Sequence, residues 1–182
     1  MMKFWDVVRA DLRANAGHAK MLKLLPTFIF NPGFAAIFLH RVACRLRQGG
    51  VIRRRLGLLV WRWNVGRSAC HINLDSDIAP GLFLPHPTGI VIGSGARIGA
   101  GTTIYQSVTI GKTASPQYPV IGADCVLYPN ALVIGPLTIG DRAIVGAGTV
   151  VLKDVPADSV VAGNPGRLLR VGKAEEPAAR PA

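Results

Sequence analysis

An aliphatic residue recurs at every sixth position through most of the C-terminal half of the chain. The positions, all Ile, Leu or Val, form three runs: Ile72, Ile78 and Leu84; Ile92, Ile98, Ile104 and Ile110; and Ile121, Leu127, Val133, Ile139, Val145 and Val151. A period of six is neither that of a helix nor that of one continuous strand. A unit this short cannot return and pair with itself, so its strands must pair with the next coil, which predicts a β-solenoid.

The residues between these positions support the prediction. The fourth residue after the aliphatic one is small or β-branched in most units: Ala96, Thr102, Val108, Cys125, Ala131, Ala143 and Thr149. Glycine often follows the aliphatic residue directly, as at Gly93, Gly99 and Gly122. We expect each unit to turn one corner of a prism, with the aliphatic side chain inside and the glycine in a backbone conformation that other residues avoid.

The first 67 residues have a different pattern. Apolar residues follow helical i, i+3, i+4 spacing in FWDVVRADLRA and in FAAIFLHRVACRL, with Pro26 and the Asn31-Pro32-Gly33 turn signal between them. The sequence therefore predicts a helical N-terminal region over residues 1–67 and the solenoid over residues 68–171. Residues 172–182, which include KAEEPAARPA, are predicted to be a disordered tail.

The period of six is broken twice, and a break is where a regular coil can carry chemistry. Leu84 and Ile92 are eight residues apart, and the surplus falls in Pro85-His86-Pro87-Thr88-Gly89. His86 is the only histidine after residue 71. Imidazole is suited to taking a proton from a hydroxyl near neutral pH, so His86 is a candidate general base, with an exposed corner residue as the alternative reading.

The second break lies between Ile110 and Ile121, which are eleven residues apart. The surplus falls in the segment GKTASPQYP, residues 111–119. It predicts a loop that leaves the coil at one corner of the prism.

Several motifs together resemble the serine acetyltransferase branch of the hexapeptide-repeat acyltransferases: LPHPTGIVIGSGARIG, IYQSVTIGKT, VIGADCVLYPNALVIG, AIVGAGTVVLKDVP and VVAGNPGRLLR. The likeness covers about residues 68–171, and FNPGFAAIFLHRVACRL is similar to the end of that family's helical region. The resemblance implies an all-β solenoid, a left-handed parallel β-helix behind an N-terminal helical region, assembled as a homotrimer. It also implies O-acetyl transfer from acetyl-CoA.

Within this resemblance, LPHPTGIV matches the segment that holds the family's catalytic histidine, which assigns His86 as general base. The family orients that histidine with an upstream aspartate, whereas this chain has His71 at the matching position. We assign Asp77 as the predicted partner, and Asp75 is the alternative.

The second break resembles a family loop that reaches the neighbouring subunit. The family has Arg-His-Pro at its end, where this chain has Gln117-Tyr118-Pro119. An acid that contacts the amino-acid acceptor in the family is Pro85 here. We predict substrate contacts from Gln117 and Tyr118.

The resemblance also suggests where coenzyme A lies. Ala147 and Gly148 match the segment lining the family's pantetheine groove, and Gly111 and Thr113 match its loop. Cationic side chains bind phosphate, so we add Lys153 and Arg167 as further CoA contacts. Acetyl-CoA acts as a co-substrate, and no separate cofactor or metal is predicted.

Two acceptors fit the sequence. L-serine, as in cysteine biosynthesis, follows from the overall motif similarity. A sugar hydroxyl in exopolysaccharide biosynthesis is favoured by Pro85, Gln117, Tyr118 and the basic N-terminal stretch, and the family includes short relatives of that kind. A carbonic anhydrase on this fold needs three histidine ligands, and the solenoid contains only His71 and His86.

The net charge of +11 implies an affinity for anions. Much of this charge lies in residues 41–67 among Leu, Val and Trp. This stretch fits peripheral contact with an acidic membrane surface, and it equally fits a solvated basic helical face. No recognised DNA- or RNA-binding module accompanies it, so nucleic acid is not a predicted partner.

Localisation is predicted from the N-terminus and the cysteines. The first residues offer no uninterrupted apolar signal-peptide segment. Cys44, Cys70 and Cys125 have neither disulfide-framework nor zinc-ligand spacing. We expect a cytoplasmic protein, either free or at the inner face of the membrane.

Overall fold

The structure, a computed structural model, describes residues 2–172. Most of the predicted tail, residues 173–182, therefore lies outside the described residues. The N-terminal region consists of α1 (Phe4–Ala16), a short 3-10 helix (Met21–Lys23), α2 (Leu24–Phe30), α3 (Pro32–Arg47) and α4 (Val51–Ser68). Among the described helices none is both long and apolar enough to cross a membrane by itself. Residues 21–30 and 32–47 reach that length only together, and they are bent by 112° at the break between them.

After α4 the chain winds into a prism with three parallel sheets, which we name faces A, B and C in the order the chain meets them. Face A contains β1 (His71–Ile72), β3 (Val91–Ile92), β6 (Thr109–Gly111), β9 (Leu132–Ile134) and β12 (Val150–Val151). Face B contains β2 (Asp77–Ile78), β4 (Arg97–Ile98), β7 (Val120–Ile121) and β10 (Thr138–Ile139). Face C contains β5 (Thr103–Ile104), β8 (Val126–Leu127), β11 (Ile144–Val145), β13 (Ser159–Ala162) and β14 (Arg167–Val171).

This architecture confirms the predicted solenoid of about five coils. Pairing between coils is parallel and in register with the repeat, as in Ile92↔Ile110 on face A and Ile98↔Ile121 on face B. The exception is β14, which pairs antiparallel with β13 at the end of face C. All thirteen periodic aliphatic side chains are buried inside the prism, none more than 7% exposed. The small residues at the fourth position are fully buried beside them. The sequence period is therefore the core of the molecule, and each such aliphatic contributes about 1.5–3 kcal/mol through burial.

The corner glycines have a different role from the one predicted. Gly99 does not adopt a positive φ. Position 99 has a glycine because a Cβ there would overlap the backbone of Gly122 and Ala123 in the next coil. The left-handed corner conformation belongs instead to Gly101 and to the equivalent Asp124, with φ of +70° and +53°. Short polar side chains tolerate this conformation, so the corner does not require glycine.

The period has a third break, which was not predicted from the sequence. Val155 forms a parallel bridge with Ile139 on face B, although it comes only four residues after Val151. The last coil is therefore two residues short at the corner that holds Lys153.

The helical region covers the open end of the first coil, which has no preceding coil to pair with. The indole N–H of Trp61 donates to the carbonyl of Ile72 at 2.8 Å. The Arg41 guanidinium donates to the carbonyls of Ile78 and Ala79 at 2.6 and 2.9 Å. Backbone groups at a sheet edge cost free energy when they are buried without partners, so these contacts cap the solenoid.

Candidate active site

His86 lies on the edge of the prism where the chain passes from face C to face A, which we call the His86 edge. Phe83 is in register with Thr103 of the next coil. Register resumes where the amide of Ser107 donates to the carbonyl of Thr88 at 3.0 Å. The first coil therefore has two more residues at this edge than the second coil, as the eight-residue spacing predicted. His86 is exposed, whereas Pro87 beside it is buried.

Helix contacts hold the strand that leads into this corner. The Asn15 side chain accepts from the amide of Leu84 at 3.2 Å and donates to the carbonyl of Leu82 at 2.8 Å. A Cβ on Gly33 of α3 would overlap the Leu84 carbonyl, so α3 lies against the same backbone. The chain is thus fixed two residues before the imidazole.

The three side chains considered as partners of His86 lie in different places. Asp77 opens β2 on face B, across the prism from the His86 edge, so one chain does not bring the two together. Asp75 forms an ion pair with Arg47 at 2.9 Å. His71 opens face A beside the corner, since its amide donates to the carbonyl of Ile90 at 2.8 Å. Among residues 2–172, the His86 imidazole makes no side-chain hydrogen bond.

Part of the predicted CoA set shares the His86 edge. Ala147 and Gly148 turn the same corner three coils further on, and both are exposed. Strand spacing places them ~14 Å along the edge from the first coil. Arg167, also exposed, pairs with Ala162 at the end of β13 and so lies near this edge as well.

The remaining predicted residues lie on the edge between faces A and B, which we call the loop edge. Gly111 ends β6, and Thr113 follows it in the eleven-residue break. Lys153 is exposed at the shortened corner of the last coil. Face A separates these residues from His86 within one chain.

Gln117 and Tyr118 also lie on the loop edge, but in different environments. Gln117 is exposed. The Tyr118 ring lies over the corner of the second coil, where a Cβ on Gly93 or Gly95 would overlap it. Its hydroxyl accepts from Ser94 at 3.1 Å, and the Lys112 ammonium lies 5.6 Å from the ring centroid. Tyr118 therefore anchors the loop to its own chain.

Gln106 on the His86 edge is a candidate residue that the sequence pattern did not indicate. It aligns with Thr88 one coil away, and its side-chain oxygen Oε1 is buried without a hydrogen-bond partner among the described residues. Nearly all buried polar atoms in proteins are satisfied. The available signal was the motif IYQSVTIGKT, and we add Gln106 to the candidate residues.

The cysteines are poorly placed to carry an acyl group. Burial raises the pKa of the Cys70 thiol to about 12 and that of Cys125 to about 11. Burial also raises the pKa of Cys44. The thiolate is the reactive form of cysteine, and a protonated thiol is a poor nucleophile. The arrangement instead suits an exposed imidazole that removes a proton from a bound hydroxyl.

Comparison with known proteins supports the same family. A model described as "Bacterial transferase hexapeptide (six repeats)" matches residues 118–153, and "Hexapeptide repeat of succinyl-transferase" matches residues 87–112. Serine acetyltransferase 2 of Arabidopsis thaliana is 38% identical over 148 residues, covering 80% of this chain and 45% of the relative. Serine acetyltransferase of Mycobacterium tuberculosis is 32% identical over 166 residues, covering 89% of this chain and 72% of the relative.

Solved structures agree. The soybean serine acetyltransferase complexed with serine superposes with a TM-score of 0.78 at 34% identity, covering 90% of this chain and 68% of that one. The serine acetyltransferase of Brucella abortus in complex with coenzyme A has a TM-score of 0.79 at 27% identity, covering 93% of this chain and 69% of that one. This chain spans about half the length of the curated relatives it matches first, 45% and 60%. Its repeat, its capped first coil and these similarities establish that the chain belongs to the serine acetyltransferase family of hexapeptide-repeat proteins.

Proposed function

We propose that this protein is an acetyl-CoA-dependent serine O-acetyltransferase in which His86 is the general base. The observation that carries the proposal is the exposed imidazole on the surplus corner of the first coil, in a chain of this family. His86 takes the proton from the serine hydroxyl, and the oxygen attacks the thioester carbonyl of acetyl-CoA. The tetrahedral intermediate then expels the CoA thiolate, which takes the proton back from the imidazolium. No acyl-enzyme forms.

The proposed path of coenzyme A runs along the His86 edge. Ala147 and Gly148 have almost no side chain there, so a narrow pantetheine arm would fit against their backbone. Arg167 near this edge, and Lys153 on the loop edge of a neighbouring copy, would meet the CoA phosphates. Acetyl-CoA is consumed as a co-substrate, and no further cofactor enters the proposal. A related protein of this fold was solved in complex with coenzyme A.

We propose that the active form is a homotrimer. The candidate residues divide between two edges of one chain, and a neighbouring copy that brings its loop edge to the His86 edge would bring Gly111, Thr113 and Gln117 close to the imidazole. Closed cyclic symmetry is the usual outcome for such self-association. The outward side of face A supports contact, because Val91 and Leu132 are apolar and 41% and 37% exposed.

Serine is the favoured acceptor, because the similar proteins are serine acetyltransferases and one structure contains serine. The sugar-hydroxyl alternative rested partly on Tyr118. The packing of Tyr118 on the second coil explains this residue without any sugar. The alternative is therefore not favoured, although Pro85 and Gln117 remain as differences from the family pattern.

The role of Asp77 as partner of His86 stays a prediction. A cytoplasmic location, where acetyl-CoA is available, is likewise part of the proposal. Contact of residues 41–67 with a membrane is a separate proposal, because it depends on α4 and not on the solenoid.

The test is release of CoA thiol from acetyl-CoA in the presence and absence of L-serine. We expect serine-dependent release that falls by about 10²–10⁴-fold in His86→Ala, the usual contribution of a general base. His18→Ala is the matched control, since His18 lies between α1 and the 3-10 helix and is not part of the proposed site. Full activity in His86→Ala would disprove the role of His86. Protein that binds acetyl-CoA but releases no thiol with serine would disprove the acceptor.

A further inference from the structure

The net charge is confined to one part of the molecule. Residues 1–74 contain thirteen Lys and Arg but only two Asp and no Glu, a net charge of +11. Residues 75–182 contain eight basic and eight acidic side chains and are neutral. Between Asp11 and Asp75 there is no acidic residue at all. An anionic partner would therefore be attracted to the helical region and not to the solenoid.

Five of these thirteen basic residues lie on α4, more than on any other helix of the protein's described residues. Only Gly57 and Asn64 of the helix are buried. Gly57 lies against the Ala43 carbonyl of α3, and the Asn64 side chain donates to the carbonyl of Ala36 at 2.9 Å. The rest of the 18-residue helix faces outward or sideways.

The outward side of α4 is apolar. Ile52, Leu56, Leu59 and Trp63 follow i, i+4, i+7, i+11 spacing, so they form one stripe along the helix. Their exposed fractions are 76%, 47%, 65% and 57%. Four large apolar side chains aligned on a solvated helix indicate a surface that another apolar phase covers.

Arginines border this stripe on both sides. Helical spacing places Arg55 and Arg62 on one flank and Arg53 and Arg67 on the other. All four are exposed, and among residues 2–172 none of them pairs with a carboxylate. The Arg67 guanidinium lies 5.9 Å from the Trp63 ring centroid, next to the stripe. An apolar stripe between two rows of cations fits the boundary between acyl chains and anionic headgroups.

We propose that the outer surface of α4, defined by the stripe and its four flanking arginines, binds the surface of a bilayer that contains anionic phospholipid. The apolar stripe enters the headgroup boundary, and the arginines bind lipid phosphates. A second copy of this chain is a poor occupant, because the same arginines would face each other. Nucleic acid offers the anions but no apolar phase for the stripe. This surface is independent of the proposed acetyl transfer.

The test is flotation of purified protein with vesicles of phosphatidylcholine alone and of phosphatidylcholine mixed with phosphatidylglycerol, without acetyl-CoA. We expect binding to the mixed vesicles, weakened by salt, and little binding to the neutral ones. Arg55→Gln/Arg62→Gln should reduce the partition coefficient about 30-fold, since each near-surface arginine contributes about five-fold. Leu59→Ser/Trp63→Ser should reduce it at least as much.

Two matched double variants control for charge and for apolar surface elsewhere. Arg97→Gln/Arg170→Gln removes the same charge from the solenoid, and Leu168→Ser/Leu169→Ser removes exposed apolar residues from β14. Both should keep vesicle binding within about two-fold, because charges farther away than a Debye length are screened. Circular dichroism checks that every variant is folded, so this test does not depend on the proposed acetyl transfer.

Several outcomes would overturn the proposal. One is equal binding to neutral and mixed vesicles, or no binding to either. Another is an equal loss in the solenoid controls. Self-association or DNA binding that the α4 variants abolish, in protein that does not float with mixed vesicles, would assign this surface to a second copy or to nucleic acid instead.

Discussion

The solenoid and the helical region that covers it are stabilised by different kinds of contact. In the solenoid the same kinds of residue recur in every coil, and the parallel strands pair with equivalent strands of the coils before and after them. In the helical region each polar contact to the solenoid occurs once, between residues 11 to 70 positions apart. A repeat distributes its stability over many small equal terms, whereas a cap concentrates it in a few contacts.

The clearest example is the buried ion pair of Asp11 and Arg41. The Arg41 Nε donates to the Asp11 carboxylate at 3.0 Å, and Asp11 is 1% exposed. The same carboxylate accepts from the amide of Gly81 at 2.8 Å. One pair therefore satisfies three backbone groups of the first coil, the carbonyls of Ile78 and Ala79 and the amide of Gly81. The following predictions test whether the cap and the coils respond differently to substitution.

The largest expected effect is in the cap. Arg41→Met leaves the Asp11 carboxylate buried without its cation, and we expect a loss of about 3–5 kcal/mol in the free energy of unfolding. Urea unfolding followed by circular dichroism measures it. Arg142→Gln is the control, because that arginine pairs with Asp158 on the solenoid surface and its loss should matter far less. Equal losses of unfolding free energy in the two variants would show that the stability of the cap does not depend on this buried ion pair.

A core truncation in the repeat comes next. Leu127→Ala removes a fully buried side chain from the middle coils, and we expect a loss of about 2–5 kcal/mol. Val126 precedes it in β8 and points outward, so Val126→Ala should cost much less. A similar loss at both positions, by the same urea measurement, would mean that the alternation of inside and outside does not determine stability.

The cap should also make stability depend on pH. His40 of α3 is 2% exposed, and burial, with a smaller contribution from the Arg41 charge, lowers its pKa from 6.5 to about 3. The unfolded chain therefore binds a proton between these values that the folded chain does not, so stability falls as pH falls. We expect a loss of about 2 kcal/mol between pH 7 and pH 5.

Urea unfolding at several pH values measures this slope. In His40→Leu the His40 contribution to the slope should vanish, whatever happens to the stability at pH 7. A slope unchanged by the substitution would show that other groups cause the pH dependence.

A more local effect is expected where the cap meets the His86 corner. Asn15→Ala leaves the Leu84 amide and the Leu82 carbonyl without partners and should cost about 1–3 kcal/mol. Hydrogen exchange should show lost protection at Leu84 and unchanged protection at Val133 in the fourth coil. Loss of protection at both would mean that the coils do not respond independently.

The sequence predicted the solenoid core because the evidence for it is periodic. Every one of the thirteen aliphatic positions is buried, as expected, and His86 lies on a surplus corner because the eight-residue spacing required one. The shortened corner after Val151 was missed because a deletion in the last coil leaves only one further match, between Val155 and Val161.

The candidate site was only partly predictable. Spacing located both breaks, but it does not say which corner of the prism each break occupies. Tyr118 was expected to contact substrate, and only its contacts with Ser94 and the corner glycines revealed an anchoring role. Gln106 carried no periodic signal, and its buried, unpartnered oxygen became visible only in three dimensions.

By itself the sequence determined the fold, the register of the coils and the position of the one histidine at a break. These depend on residue type at fixed spacing, and that information is local and repeated many times. The tertiary structure decided how the first coil is capped, which edge each candidate residue occupies and which side of α4 is left uncovered. Those features depend on single contacts between distant parts of the chain, and a contact that occurs once leaves no pattern in the sequence.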